Sequence, residues 1–270
     1  MTMSSRPPAV AGTFYPGDAD LLRQTVVSFL AEAQSDGAMP KAIIVPHAGY
    51  FYSGSIAATA FAQIQKNAAQ IHRVVLLGPA HRVPFSGIAA CDFDYFLTPL
   101  GKIPIDQQTI AALAEEGYVV MLNEAHREEH SLEVQLPFLQ SILPSFQLLP
   151  FVVGDASVKQ VACLLARLWG DEHTLIVISS DLSHYLDYKS AVRKDQSTSE
   201  AIVQMRWQDI DYEDACGRNP MRGLLQLAHD RKLVAKLLDL RNSGDTAGTK
   251  DRVVGYGAYA FYESGFIEAP

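Results

Sequence analysis

Cysteine is scarce: Cys91, Cys163 and Cys216 are the only three in 270 residues. The count is odd and the spacings are wide, which argues against a disulfide framework and predicts a reducing compartment. Basic charge is also short. The chain has 22 Lys and Arg against 30 Asp and Glu, a net charge of −8, and a pI near 5.4. Generic binding to nucleic acid or to anionic membranes needs clustered cations, so both classes are disfavoured, although a local basic pocket is not. No apolar run reaches membrane-spanning length, and the opening MTMSSRPPAV lacks the apolar stretch of a signal peptide. The expectation is a soluble, cytoplasmic protein. Repeats, low-complexity stretches and long linkers are lacking too, so a single domain over residues 1–270 is the default. What is present is ordinary globular material: 48% hydrophobic and 19% charged residues, with a mean hydropathy of +0.04. That composition supports one sizeable core and excludes disordered, collagen-like and simple coiled-coil chains.

Short apolar runs alternate with helix-like segments. Ala42–Val45, Arg73–Leu77, Leu148–Val153 and Thr174–Ser179 are β-branched and nearly continuous, as strands buried on both faces of a mostly parallel sheet are. Helical patterns fall at Ser55–Gln65, at Asp106–Glu116 with its aspartate in N-cap position, at Val158–Trp169 and at Glu200–Trp207. A final pair, Leu233–Leu238 and Val253–Glu263, reads as two strands joined by a polar loop. Their antiparallel pairing would make the sheet mixed. The pattern predicts an α/β fold, a three-layer αβα sandwich with a mostly parallel or mixed central sheet.

In open α/β sheets, ligands bind outside the carboxyl ends of the strands. Three of the runs end in a histidine within a few residues: Pro46-His47, Gly78-Pro79-Ala80-His81 and Ser180-Asp181-Leu182-Ser183-His184. An imidazole there can be a metal ligand, a general base or a hydrogen-bonding partner. For the pair His47 and His81, each presented rigidly after a proline, the ligand reading leads over a half-buried turn histidine. Asn219 and Pro220 suit an N-cap and first helical position, which places Cys216 just before a helix and beside Arg218. Both features favour thiolate, a strong ligand for zinc, iron or copper. The competing reading is a small buried hydrophobe, the one assigned to Cys91 and Cys163. Asp181 and His184 form either a carboxylate-oriented general base or an N-cap with an incidental histidine, evenly weighed. The knot Glu128-Glu129-His130-Ser131-Leu132-Glu133 is read as a solvated helix start, ahead of residues lining the same pocket. His72, His126, His173 and His229 receive no role.

PPAVAGTFYPGD, IIVPHAGYFYSG, LLGPAHRVP, EEHSLEVQLPFL, ISSDLSHY and CGRNP resemble, in this order, the Memo family, known in prokaryotes as protein B of the AmmeMemoRadiSam set. The resemblance runs from about Arg6 to the closing GYGAYAFYE. It implies an α/β fold similar to the class III extradiol (LigB-like) dioxygenases, whose non-haem iron is held by two histidines and a glutamate. Carried over by motif, it implies His47 and His81 as metal ligands, Cys216 where those enzymes have their carboxylate, and Asp181 with His184 in the acid/base segment. The expected cofactor is iron, with copper or zinc as alternatives. The softer thiolate favours copper or a more reducing iron and makes ring cleavage doubtful. Three functional readings follow. The first is metal-dependent redox chemistry on a small molecule. The second is a non-catalytic module for a peptide or small molecule, suggested by Tyr15, Tyr50, Tyr52 and Tyr185 near the motifs. The third is a zinc hydrolase with His184 or Glu133 as base. Association with a radical-SAM protein and the other AmmeMemoRadiSam proteins is implied by the family alone.

Overall fold

The computed structural model describes residues 3–35 and 37–263; the remaining residues of the expected 1–270 domain lie outside the described residues. In chain order the elements begin with β1 (Ser5–Arg6), α1 (Ala19–Glu32), β2 (Ala42–Val45) and α2 (Tyr50–Phe61). Next come β3 (Arg73–Pro79), β4 (Ile88–Ala90), β5 (Tyr95–Thr98), β6 (Gly101–Pro104), α3 (Gln107–Glu115) and β7 (Val120–Met121). The middle holds α4 (Asn123–Arg127), α5 (His130–Glu133), α6 (Leu136–Ile142), β8 (Gln147–Val153), α7 (Val158–Arg167) and β9 (Thr174–Ser179). The chain continues through β10 (His184–Leu186), α8 (Tyr188–Val203), α9 (Arg218–Asp230), β11 (Val234–Asn242), α10 (Ser243–Thr246) and β12 (Val253–Tyr262).

Nine strands form the main sheet in the order β10-β12-β2-β9-β3-β8-β4-β7, with β11 paired to β12. The centre, β2-β9-β3-β8, is entirely parallel. Antiparallel β12, β11 and β10 extend one side, and β4 joins β8 antiparallel on the other. The sheet is therefore mixed around a parallel core, and the final two strands pair as the sequence predicts. The four central strands are buried almost throughout, because helices cover both faces. Each fully buried Val, Leu or Ile there contributes up to about 1.5–3 kcal/mol. One helical layer contains α1, α2 and α6; another contains α7 and α9, which pack on each other. A separate three-stranded sheet, β1-β5-β6, ties down the N-terminal segment.

Several local expectations are corrected. The helix expected at Glu200–Trp207 is instead the longer α8, started by Asp187, whose side chain accepts from the Ser190 amide at 3.1 Å. It ends at Val203 because the backbone turns left-handed at Met205 (φ 54°). The helix near Cys216 begins one residue after Gly217, so Asn219 lies inside α9 and donates to the Gly154 carbonyl at 2.9 Å instead of capping. Cys91 is buried as expected, but Cys163 lies exposed on α7. The acidic knot is not solvated: Glu129, Ser131 and Glu133 are buried. Among the described residues no helix is long and apolar enough to cross a membrane.

Candidate metal centre

Parallel pairing in register places the ends of β2, β9 and β3 side by side, and the loops that leave them share one edge of the sheet. His47 follows β2 after Pro46. It is buried, its amide donates to Asp181 Oδ1 at 2.7 Å, and its Nδ1 lies 2.9 Å from Ser179 Oγ. Ser179 donates its single hydroxyl proton to the Ser131 carbonyl at 2.6 Å, so toward His47 it must accept. The proton of His47 therefore sits on Nδ1, and the bare Nε2 faces Cys216 Sγ at 3.3 Å. Burial, and after it the neighbouring His81, holds the His47 imidazole well below its ordinary pKa, so the ring is neutral.

His81 follows β3. Its backbone N–H donates to Glu129 Oε2 at 2.6 Å and its Nδ1 lies 2.8 Å from Glu129 Oε1, which leaves Nε2 free. Burial pushes the Glu129 carboxyl up, but the His81 ring and amide, with the Ser131 amide, outweigh it and hold it down at about 2. Glu129 is thus a fixed carboxylate behind a histidine, the arrangement that sets tautomer and ring orientation in metal sites. The His47 and His81 rings meet edge-on with centroids 5.1 Å apart.

Cys216 reaches the site from the turn before α9. A Cβ on Gly217 would stand 2.6 Å from Ser180 Cβ and 2.7 Å from the Ser179 carbonyl, so only glycine lets this turn lie against the end of β9. The Sγ accepts from the Asp181 amide at 3.3 Å. The thiolate expected from the helix start and Arg218 is not favoured in the protein alone. Burial, reinforced by Asp181, pushes the Cys216 thiol up.

One ligand atom each from His47, His81 and Cys216 lies within 4.8 Å of the others. A sulfur at about 2.3 Å and a nitrogen at about 2.1 Å from one tetrahedral ion stand roughly 3.6 Å apart, close to the 3.3 Å between Sγ and Nε2. The residues therefore fit a metal with small adjustments. His81, Glu129 and His130 form a second group of the same kind, sharing His81.

Asp181 and His184 both line the cavity beside these residues, Asp181 buried and His184 exposed. Asp181 Oδ1 bonds the His47 amide, and no hydrogen bond joins Asp181 to His184 among the described residues. His130, expected in a solvated helix start, instead stacks on His81 with centroids 4.6 Å apart and stands edge-on to His47 at 5.5 Å. Burial first, then His47, lowers its pKa to about 4. The site-building residues that sequence reasoning missed are Glu129, Ser179 and Gln135, whose Nε2 donates to the Pro46 carbonyl and to Ser179 Oγ, each at 2.9 Å. The signal for Ser179 was a polar residue ending an apolar strand. For Glu129 it was an acid directly before the apolar run Leu132–Leu139. Two cavities open onto the centre, of about 820 and 790 Å³, and share His81, His184 and Tyr185.

The fold and site define an α/β sandwich protein with a two-histidine, one-cysteine group suited to a metal, placed at the carboxyl edge of its parallel strands. The chain belongs to the Memo family: the family described as Memo-like protein matches residues 6–260. It is 35% identical over 267 residues to a MEMO1 family protein of Aquifex aeolicus, covering 94% of this chain and 98% of that one. With a MEMO1 family protein of Sulfurisphaera tokodaii it shares 33% over 276 residues, covering 93% and 97%. The solved structure of an uncharacterized protein from Escherichia coli K12 superposes with a TM-score of 0.50 and 12% identity, over 82% of this chain and 99% of that one. That likeness concerns the fold alone.

Proposed function

We propose that the protein is a mononuclear metal protein, with iron as the preferred ion and copper next, held by His47, His81 and Cys216. The observation that carries this reading is the convergence of His47 Nε2 and Cys216 Sγ at 3.3 Å beside His81. Both imidazoles have their other nitrogen committed, to Ser179 and to Glu129, so neither must reorient to bind. The metal would supply one-electron exchange with a small molecule. His184, at the exposed lip of the cavity, would hold or move a proton. Asp181 would fix the His47 backbone and, by accepting from it, the approach of the ring. Partnership with a radical-SAM protein and residence in the cytoplasm belong to the same proposal and rest on the family and on the scarce cysteines. Elemental analysis of untagged, anaerobically purified protein tests the centre. The wild type should carry about one ion per chain and the His47→Ala, Cys216→Ser double variant almost none. Equal metal in both would refute it.

The paired cavities favour a second reading, a module that binds a peptide or small molecule with the metal incidental. Ligand affinity that survives chelation and the Cys216→Ser change would place binding ahead of redox chemistry.

A further inference from the structure

The chain is acidic overall, with a net charge of −8, yet the cavity over His47 and His81 is not. Its lining includes Arg82 and Arg252, and among the described residues its one carboxylate is Asp181, which is buried and bonded to the His47 amide. Elsewhere, Arg6, Arg73, Arg127, Arg167, Arg206 and Arg241 each meet a carboxylate. Among the described residues Arg82 and Arg252 meet none, a state they share with Arg193, which bonds Ser190 Oγ, and Arg218, which lies over Tyr212. The Arg252 guanidinium instead lies over the Tyr185 ring, 5.1 Å from its centroid. Stacking covers one face of the guanidinium and leaves its in-plane N–H groups to face a partner, the geometry that grips carboxylate or phosphate in a bidentate way. Tyr185 itself is exposed and sits in the left-handed region (φ 61°), at an irregularity of β10. A non-glycine residue in that region carries backbone strain, which is often found at functional sites. Phe14, Tyr52 and Tyr256 supply apolar walls to the same cavity. The neighbouring cavity of about 820 Å³ is mixed in charge: Asp155 and Glu213 line it together with Lys194, which pairs with Asp214, and Arg218, which lies over the Tyr212 ring at 5.2 Å.

Resting on the reading of this cleft as the ligand side of the centre, we propose that the cavity takes a small organic acid, its carboxylate or phosphate held by Arg82 and Arg252 and its apolar body against the aromatic walls. The acidic surface elsewhere would repel such a ligand, so the two arginines provide selection as well as affinity. Saturation-transfer NMR and calorimetry test this with phenylacetate, phenyl phosphate and the neutral phenylacetamide, on full-length protein both metal-loaded and metal-stripped. The acids should bind about tenfold or more tighter than the amide, with a preference that shrinks as salt rises. The Arg82→Gln, Arg252→Gln double variant should lose that preference, and the Arg167→Gln control should keep it. Tighter binding of phenyl phosphate or of phenylacetate identifies the favoured anion. Equal binding of acid and amide, binding of none of the three, or a preference kept by the double variant would each overturn the proposal. A preference retained by stripped protein that takes up no metal would sink the metal centre and leave the anion site standing.

Discussion

At the scale of the residue, the proposed centre depends on groups outside its three candidate ligands. Glu129 holds His81 by ring and by backbone, and Ser179 sets the proton of His47. Replacing such a supporting carboxylate typically costs 10- to 100-fold in metal affinity. Glu129→Gln should therefore weaken metal retention by about that factor against a competing chelator, with the far-ultraviolet spectrum unchanged; undiminished retention would show that His81 needs no such support. The sequence made His47, His81, Asp181 and Cys216 legible, because each stands at the polar end of an apolar strand or beside a helix start. It did not make Glu129 or His130 legible. Acids and a histidine before a helix look the same whether water or a buried carboxylate network receives them, and only packing decides. The state of the thiol differs from the local expectation for a related reason. A helix start and an arginine favour thiolate locally, but the desolvation of this partly buried thiol, with Asp181 beside it, outweighs both.

At the scale of elements, one buried charge network joins the N-terminal segment to α5. Arg6 is fully buried and donates to the His126 carbonyl at 2.8 Å, to the Glu129 carbonyl at 2.7 Å and to Glu133. Glu133 also accepts from the Ala9 and Val10 amides at 2.8 and 3.0 Å and from the Tyr15 hydroxyl. Breaking a buried pair costs about 3–5 kcal/mol because a charge is stranded. The two halves are unequal. Arg6→Met leaves Glu133 with three donors and takes one donor from each of two carbonyls, whereas Glu133→Leu leaves Arg6 bonded to those carbonyls but without a counter-charge and strands three donors. Urea melts should place the second variant as the less stable, and the reverse order would contradict this accounting. A second element-level test concerns Gly78 on β3. A Cβ there would lie 2.6 Å from Ser131 Oγ and 3.0 Å from Leu132, so Gly78→Ala should push α5 off the sheet and cost about 1–3 kcal/mol in the same melts. The parallel strands were readable because double burial writes itself as unbroken β-branched runs. Helix α8 was not, since YKSAVRKDQSTSEAIV is polar over most of its length and its start depends on the Asp187 cap.

At the scale of the whole molecule, buried titratable groups away from the centre add to the pH response that His47 and His130 already give it. Burial, the largest influence, lowers the His126 pKa from 6.5 to about 4 despite its bond with the Ala89 carbonyl. As pH falls from 6.5 to 4 the unfolded chain gains this proton and the folded chain does not. Stability therefore drops across that window, by up to about 3 kcal/mol from this group. Lys41 acts at the other end. Burial lowers its pKa from 10.5 to about 8. Between those values the folded chain has released its proton while the unfolded chain keeps it, so this group makes stability rise with pH. Denaturation midpoints at pH 4.5, 7 and 9.5 check both. His126→Leu should flatten the acid limb and Lys41→Met the alkaline one, and unchanged slopes in either variant would remove that residue from the account.

Arg6 leaves the ribosome 127 residues before the glutamate that neutralises it in the core. During synthesis the nascent segment must stay hydrated and unhoused until roughly half the polypeptide has emerged. Only then can the early residues lock over α5 and brace the histidine pocket from behind. A slow codon stretch or a fused partner that delays the middle of the chain would lengthen that exposed interval.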